Sequence, residues 1–403
     1  MKIGIIKEGK TPSDERVPLT PAQCVSLILA HPEVDVVVQP SAHRCFKDAE
    51  YESVGIKIQE NLSDCDVLMG VKEVPINQLI ANKTYFFFSH TIKKQPYNRA
   101  LLRAILEKNI RLIDYEVLTD EGGDRLIAFG RFAGIVGAHN GVMLYGKRTR
   151  TFDLPRMFAC HDYAEAVHIY KSTPFPAMRV VLTGTGRVSQ GAELVLLNMG
   201  FQHVSPKEYL SDKKFDEPIF TQLKAKHYVR RTDGEDYEKA HFYANPDKYE
   251  SAFLPYAWRS DLMINGIYWD NRSPQFFSRE DMKNINFRIK VIADVTCDMA
   301  PQSSIPSTLR ATTIADPVFG YCPVSESEIA AYSPEGIDMM TIDNLPNELP
   351  RDASEFFGSQ FIKNIFPELL KADESDIIKR ATVTKNKLLT QNFVYLKDFV
   401  EKI

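Results

Sequence analysis

Thr183-Gly-Thr-Gly-Arg-Val-Ser-Gln-Gly-Ala192 follows the apolar run 180–182 and precedes a run with helical character, 193–199. A glycine-rich turn between a strand and a helix is the setting in which dinucleotides bind, because their pyrophosphate lies against the helix N-terminus. Gly184 allows the tight turn, and Gly186 lets the backbone approach the pyrophosphate. Ser189 stands where a third glycine or alanine is usual, so a structural turn without a ligand stays an alternative. The pattern favours a nucleotide-binding α/β domain, with hydride chemistry on a nicotinamide as the leading interpretation.

The bulk composition is that of a globular chain with room for two or three domains, since 403 residues are 44% hydrophobic and 25% charged. The net charge of −4 offers no basic surface to nucleic acid. No apolar run reaches the roughly 18 residues of a membrane helix, and the N-terminus lacks a signal-peptide pattern. The six cysteines contain no CxxC pair and no metal-ligand spacing. We therefore expect a cytoplasmic protein with reduced thiols, no metal, and no nucleic-acid or membrane partner.

The first 130 residues alternate between strand-like and helix-like runs. The strand candidates are residues 2–6, 34–38, 67–71, 85–88 and 111–114. Helical spacing covers residues 21–29, which begin with a proline, and residues 98–109. This alternation predicts a doubly wound α/β domain.

A run of small residues, 131–145, is typical of close helix packing and leads into a second domain. That domain contains the glycine turn and further strand candidates at 262–267 and 291–295. A polar and aromatic stretch, 206–259, is too long for a bare loop and predicts a folded insertion. We expect two Rossmann-like doubly wound domains with a cleft between them. Residues 1–134 plus 340–403 would form the substrate-binding domain, and residues 135–339 the dinucleotide-binding domain.

Several polar side chains follow predicted strands of the first domain. Arg16 comes after the first strand, Lys72 after the run 67–71, and His90 after the run 85–88. Ligands gather outside the carboxyl ends of strands in open α/β sheets, and a lysine with a histidine there suits acid–base chemistry. Each residue taken singly is more often just solvated. Glu116 and Asp294 also follow strands, but either acid could cap a helix instead.

Longer segments resemble the lysine–2-oxoglutarate reductase family, also called the L-lysine-forming saccharopine dehydrogenases, and more distantly the alanine dehydrogenases. The resemblance covers nearly the whole chain. The segments that both families share are Lys7-Glu8 with Glu15-Arg-Val-Pro-Leu-Thr-Pro21, Gly70-Val-Lys-Glu73, and the apolar run ending in His90. Segments similar to the saccharopine branch are Ala128-Phe-Gly-Arg-Phe-Ala-Gly134, the glycine turn with its serine, and Ile342-Asp-Asn-Leu-Pro-Asn-Glu-Leu-Pro-Arg-Asp-Ala-Ser-Glu-Phe-Phe-Gly358. The insertion, with His241-Phe-Tyr-Ala-Asn-Pro-Asp-Lys-Tyr249 and Asn265-Gly-Ile-Tyr-Trp269, resembles the reductases and is absent from the compact fungal enzymes.

The resemblance implies a reaction. The side-chain amine of lysine joins the ketone of 2-oxoglutarate, and the cofactor reduces the resulting imine to saccharopine. Lys72 and His90 match the acid–base pair of the family. The residues matched to substrate binding are Arg16, Glu116, Arg125 and Asp294. Thr11, with Lys10 beside it, stands where the fungal pattern carries a lysine, which puts one substrate contact in doubt.

The cofactor is expected to contact Gly184, Gly186, Arg187, Val188 and Ser189 of the glycine turn. NAD sites commonly place an acid after the second strand, where it accepts from the ribose 2′-hydroxyl. We expect that strand at 201–204, and Ser205 and Lys207 follow it with no acid before Glu208. This favours NADP, with NAD as the alternative.

Two other functions stay open beside the reductase. One is an alanine dehydrogenase-like amino-acid dehydrogenase that uses the same Lys72 and His90. The other is a non-catalytic nucleotide-binding sensor built on the same fold. The expected partners are small molecules, namely lysine, 2-oxoglutarate and saccharopine, and a homo-oligomer is left open.

Overall fold

The computed structural model describes residues 1–371 and 373–401, and its elements are numbered along the chain. The strands are β1 (Lys2–Ile5), β2 (Asp35–Val38), β3 (Lys57–Ile58), β4 (Val67–Met69), β5 (Thr84–Phe87), β6 (Arg111–Asp114), β7 (Arg179–Thr183), β8 (Gln202–His203), β9 (Ile219–Leu223), β10 (Val229–Arg231), β11 (Tyr249–Ser251), β12 (Leu262–Asn265), β13 (Val291–Asp294), β14 (Phe319–Cys322), β15 (Ser327–Ile329), β16 (Ile337–Met340), β17 (Thr382–Lys385) and β18 (Leu388–Leu389). The helices are α1 (Pro21–Ala30), α2 (Asp48–Ser53), α3 (Arg99–Glu107), α4 (Gly130–Thr149), α5 (Tyr163–Ser172), α6 (Arg187–Asn198), α7 (Pro206–Tyr209), α8 (Ala225–Tyr228), α9 (Lys239–Ala244), α10 (Leu254–Ala257), α11 (Pro350–Asn364), α12 (Phe366–Leu370), α13 (Ile377–Ala381) and α14 (Lys397–Glu401).

The chain divides into two compact units, and each is built on an eight-stranded sheet. The first unit holds residues 1–129 with the chain from Pro350 onward, and the second holds Gly130–Leu349. The boundaries expected at 134/135 and 339/340 thus fall at 129/130 and 349/350. Parallel strands dominate both sheets, and the predicted class of two Rossmann-like α/β domains is confirmed.

The sheet of the first unit runs in the order β18-β17-β6-β5-β4-β1-β2-β3. The strands β1 to β6 are parallel, and β17 and β18 add an antiparallel edge from the C-terminal segment. The expected helix at 21–29 is α1, which begins after Thr20 with a capping box and a proline. The carboxyl ends of β1, β4, β5 and β6 therefore form one continuous edge, at which polar side chains can meet.

The sheet of the second unit runs in the order β15-β14-β16-β13-β12-β7-β9-β8. Its core includes Val181, Phe253, Met263, Ile292 and Met339, which are nearly or fully buried. The strand β7 carries the glycine turn, and α6 follows it, as the pattern predicts.

The prediction that residues 206–259 form one insertion is wrong. Residues 219–223 form β9, which pairs in parallel with β7 over its whole length. The sequence pattern does not reveal this strand because Thr221 and Gln222 interrupt its apolar run, although Thr221 is fully buried. The additional structure lies after β9. It holds the antiparallel hairpin of β10 and β11, with a small core of Val229, Phe242 and Tyr249.

The small residues at 131–145 lie on α4, which packs against α6 at backbone distance. A Cβ atom built on Gly134 would lie 1.7 Å from the carbonyl oxygen of Val188 on α6. A Cβ on Gly191 would lie 2.0 Å from the carbonyl oxygen of Arg131 on α4. The prediction of close helix packing is confirmed, and the contact holds the helix that follows the glycine turn.

Candidate active site

The predicted polar residues of the first unit follow adjacent parallel strands. Lys72 comes after β4, His90 after β5 and Glu116 after β6, and these strands are neighbours in the sheet. Glu8 comes after β1, which pairs with β4 on its other side. The structure thus brings Lys72, His90 and Glu116 to one edge of the sheet.

His90 is held by a carboxylate that the sequence analysis did not single out. Glu73 Oε1 lies 2.6 Å from His90 Nδ1, and Glu73 Oε2 accepts from Lys10 Nζ at 3.0 Å. Burial alone would raise the pKa of Glu73, but the hydrogen bond and charge of His90, with help from Lys10, lower it to about 2. Because Nδ1 is engaged, the ring is oriented and Nε2 is the nitrogen that can exchange a proton with a ligand.

Lys72 is positioned through its backbone by a second acid. The carboxylate of Glu8 accepts from the backbone N–H of Val71 at 2.6 Å and of Lys72 at 2.9 Å. Burial, with repulsion from Asp14, raises the pKa of Glu8 to about 8. Burial also lowers the pKa of Lys72, and the charge of Arg16 lowers it further. A lysine whose pKa is lowered toward neutrality can both take up and release a proton in turnover.

Arg16 is buried and already has a carboxylate partner on its own loop. Its Nε lies 2.9 Å and its Nη2 2.6 Å from the two oxygens of Asp14, and its guanidinium carbon lies 4.2 Å from the centroid of the Phe129 ring. Asp14 therefore fixes the orientation of the guanidinium. A contact of Arg16 with a substrate carboxylate remains a prediction.

Glu116 is the centre of a small charged group. It lies 3.1 Å from Lys93 Nζ and 2.7 Å from Arg125 Nη2, both through Oε1. Burial would raise the pKa of Glu116, but the charges of Lys93 and Arg125 outweigh it and lower the pKa below its ordinary value. Its Oε2 is buried and has no hydrogen-bond partner among the described residues. A buried carboxylate oxygen without a donor is expensive, so a cationic ligand group would satisfy it.

The glycine turn of the second unit is tight at Gly184 and open at Gly186. Gly184 has φ 93°, and a Cβ atom there would lie 2.7 Å from Ser189 Oγ. Ser189 is buried and donates to the carbonyls of Thr183 at 3.0 Å and Gly266 at 3.2 Å, so it ties the turn together rather than opening toward a ligand. A Cβ on Gly186, at the start of α6, meets no described atom within 4 Å. This open space at a helix N-terminus fits a dinucleotide.

The other predicted residues of the second unit have mixed surroundings. Arg187 is exposed and Val188 is half-buried beside Gly186. Asp294 is fully buried and accepts from Asn265, Thr296 and Thr308. This favours a positioning role for Asp294 over direct contact with substrate.

The residues that the sequence analysis missed are Glu8, Asp14 and Glu73. Glu8 and Glu73 lie inside segments that carry the family resemblance, Asp14 directly precedes another, and Glu73 directly follows Lys72. That adjacency was the available signal, but only folding shows that Glu73 reaches His90 on another strand. In the described residues, no cluster of three or more His, Cys, Asp or Glu side chains could hold a metal, and no helix is long and apolar enough to cross a membrane.

We expect Glu73→Gln to destabilise the fold near neutral pH and to matter less in acid. The pKa of Glu73 is lowered from 4.5 to about 2 in the fold. Its pairing thus stabilises the protein above pH 4.5, and this contribution is lost as the pH falls from 4.5 toward 2. The side chain is only 10% exposed, so the expected loss is about 1–3 kcal/mol at pH 7 and smaller at pH 3.

Thermal unfolding of the variant and the parent at both pH values measures this difference. Glu60→Gln is the matched control, because Glu60 is 66% exposed and its pair with Lys7 should contribute no more than about 1 kcal/mol. A loss of equal size at pH 7 and pH 3 would contradict the assignment.

Known proteins resemble this chain in sequence and in fold. Residues 4–136 match the family described as "Alanine dehydrogenase/PNT, N-terminal domain". The chain is 31% identical to "Alpha-aminoadipic semialdehyde synthase, mitochondrial" of Mus musculus over 420 residues, which are 91% of this chain and 44% of that protein. It therefore spans less than half the length of this relative. It is 26% identical to "Saccharopine dehydrogenase [NAD(+), L-lysine-forming]" of Schizosaccharomyces pombe, with 91% of each chain covered. A solved L-alanine dehydrogenase shares the fold, with a TM-score of 0.66 at 17% identity over 99% of this chain and 100% of that chain.

Proposed function

The chain belongs to the alanine dehydrogenase-like family that contains the alpha-aminoadipic semialdehyde synthases and the lysine-forming saccharopine dehydrogenases, and from this membership we propose that it reduces the imine of L-lysine and 2-oxoglutarate to saccharopine. The reverse oxidation is the same activity. The observation that supports the proposal most directly is the position of Lys72 and the His90–Glu73 pair. They follow neighbouring strands at one edge of the sheet in the first unit.

The proton transfers of the reaction suit these side chains. Condensation of an amine with a ketone requires that the amine lose a proton and that the carbinolamine oxygen leave as water. Lys72, whose pKa is lowered by burial and by Arg16, can take up and return a proton at Nζ. His90, oriented by Glu73, is the second proton carrier and acts through Nε2.

Substrate binding is assigned to charged groups around this pair. Arg16, a planar fork held by Asp14, is proposed to receive a substrate carboxylate. Glu116, whose Oε2 has no donor among the described residues, is proposed to receive the lysine ammonium. Arg125, which pairs with Glu116, is a weaker candidate for a second carboxylate. Asp294 is proposed to act indirectly, because it is fully buried.

A nicotinamide dinucleotide supplies the hydride when it is bound. Gly184 and Gly186 are proposed to hold its pyrophosphate, with Arg187 and Val188 beside it, while Ser189 braces the turn from within. We propose NADP rather than NAD, because no acid follows β8 before Glu208 and none follows β9 before Asp233.

The purified protein is expected to oxidise NADPH only when lysine and 2-oxoglutarate are both present. The loss of absorbance at 340 nm, followed across amine and keto-acid pairs, measures this. Pyruvate with ammonia is the matched pair for the alanine dehydrogenase alternative. Turnover with that pair and none with lysine would reverse the proposal, and nucleotide binding without turnover on any pair would favour the sensor.

A further inference from the structure

The strand order of the second unit places a different segment beside the glycine turn from the one that the sequence predicts. The strand β9 pairs with β7 from Arg179↔Ile219 to Thr183↔Leu223. The carbonyl of Leu223 also accepts from the backbone N–H of Gly184 at 2.9 Å. The strand β8 pairs only with β9, so it lies two strand spacings, about 10 Å, from β7. The chain that leaves the sheet next to the glycine turn is therefore Leu223 and its successors, not the segment after β8.

In dinucleotide-binding folds, the residue at this position helps to distinguish NAD from NADP. The residue that contacts the ribose 2′ position stands at the end of the strand beside the glycine strand. In this chain that place is taken by Lys224-Ala-Lys-His227, which holds three basic residues and no acid.

These basic residues form no ion pair with an acid in the described part of the chain. Lys224 and Lys226 are exposed, and neither they nor His227 lies in an ion pair between described residues. The backbone N–H of Lys224 donates to Nδ1 of His227 at 3.1 Å, so Nε2 is the ring nitrogen that remains to donate to a ligand. Burial and the charges of both lysines lower the pKa of His227. A bound anion would offset the repulsion that the three groups exert on one another.

In the segment after β8, Ser205 and Glu208 make local contacts with neighbouring residues of the chain. Ser205 Oγ accepts from the backbone N–H of Glu208 at 3.1 Å and so caps α7. Glu208 pairs with Lys213 at 2.6 Å. Ser205 and Lys207, expected from the sequence to contact the ribose, thus stand at the edge of the sheet, because β9 separates their strand from β7.

We propose that Lys224, Lys226 and His227 form the binding site for the 2′-phosphate of NADP, and that they set the cofactor preference in place of Ser205 and Lys207. This rests on the proposed function only in that a dinucleotide binds at the glycine turn. The ligand group is a phosphate monoester carrying close to two negative charges, for which two lysines and an imidazole are suitable donors.

Calorimetric titration with two nucleotide fragments tests the proposal without turnover. Adenosine 2′,5′-bisphosphate and 5′-AMP differ only in the 2′-phosphate. The wild type is expected to prefer the bisphosphate. The double variant Lys224→Ala, Lys226→Ala is expected to bind the bisphosphate at least about a hundredfold more weakly, which is at least tenfold for each lysine removed. Binding of 5′-AMP should change less than twofold, which also reports that the variant is folded. Lys207→Ala and Ser205→Asp are the matched controls and should leave the preference intact.

Two results would overturn the proposal. One is a double variant that keeps the preference for the bisphosphate; if Lys207→Ala then loses it, the segment after the edge strand contacts the phosphate. The other is equal affinity of the wild type for the two fragments. The second result leaves the proposed reaction standing if NADH is oxidised with lysine and 2-oxoglutarate. Conversely, a failed lysine assay leaves this inference standing if the bisphosphate is preferred.

Discussion

Lys72→Met and His90→Gln are each expected to lower kcat by about 10²–10⁴-fold, the range that general acid–base groups contribute. Lys72 is buried with a lowered pKa, and His90 is held at Nδ1 by Glu73. Each substitution removes a proton carrier and keeps a side chain of similar size. Both residues belong to the first unit and the glycine turn to the second, so nucleotide affinity should stay close to that of the wild type.

Steady-state kinetics with a fluorescence titration of the nucleotide measures both quantities. Lys57→Met and His43→Gln are matched controls, because Lys57 is exposed on β3 and His43 is exposed in a loop. If Lys72 and His90 only bind substrate, KM rises while kcat holds, which is the pattern of lost uniform binding. An unchanged kcat in both variants would remove the pair from the mechanism.

Gly134→Ala is expected to lower the stability of the second unit by about 1–3 kcal/mol or more. The added Cβ would lie 1.7 Å from the carbonyl oxygen of Val188 and 3.0 Å from the amide nitrogen of Ala192. These are backbone atoms of α6, so relief requires the whole helix to move away from α4. At an open helical position the same change should stabilise by about 1 kcal/mol, because alanine is the better helix former. A loss of stability therefore isolates the cost of the contact.

Chemical unfolding of Gly134→Ala and of Gly186→Ala makes the comparison. Gly186 is the N-cap residue of α6, and a Cβ there meets no described atom within 4 Å. Gly186→Ala should stay within about 0.5 kcal/mol of the wild type in stability, yet weaken nucleotide binding, since its Cβ would enter the space proposed for the pyrophosphate. A Gly134→Ala protein as stable as the wild type would show that the two helices can separate freely.

Short sequence patterns predict many of the strands, helix ends and turns of this fold. The apolar runs that became β1, β4, β5 and β6 are buried strands, and each is bounded by turn or helix signals within a few residues. The start of α1 at Pro21 is encoded by Thr20 and Gln23, whose hydrogen bonds span only three positions. The glycine turn, too, is local, because φ 93° at Gly184 is a property of one residue and its neighbours.

By itself, then, the sequence determined the two α/β sheets, the glycine turn before α6, and the polar residues that follow the strands β4, β5 and β6. Only the tertiary structure decided their partners. Glu73 meets His90 because β4 and β5 are adjacent, and β9 rather than β8 lies beside β7 because strand pairing joins residues far apart in the chain. The physical reason is that caps, turns and periodicity depend on residues within one or two turns of chain, whereas strand order and side-chain hydrogen bonds depend on which distant surfaces bury each other best.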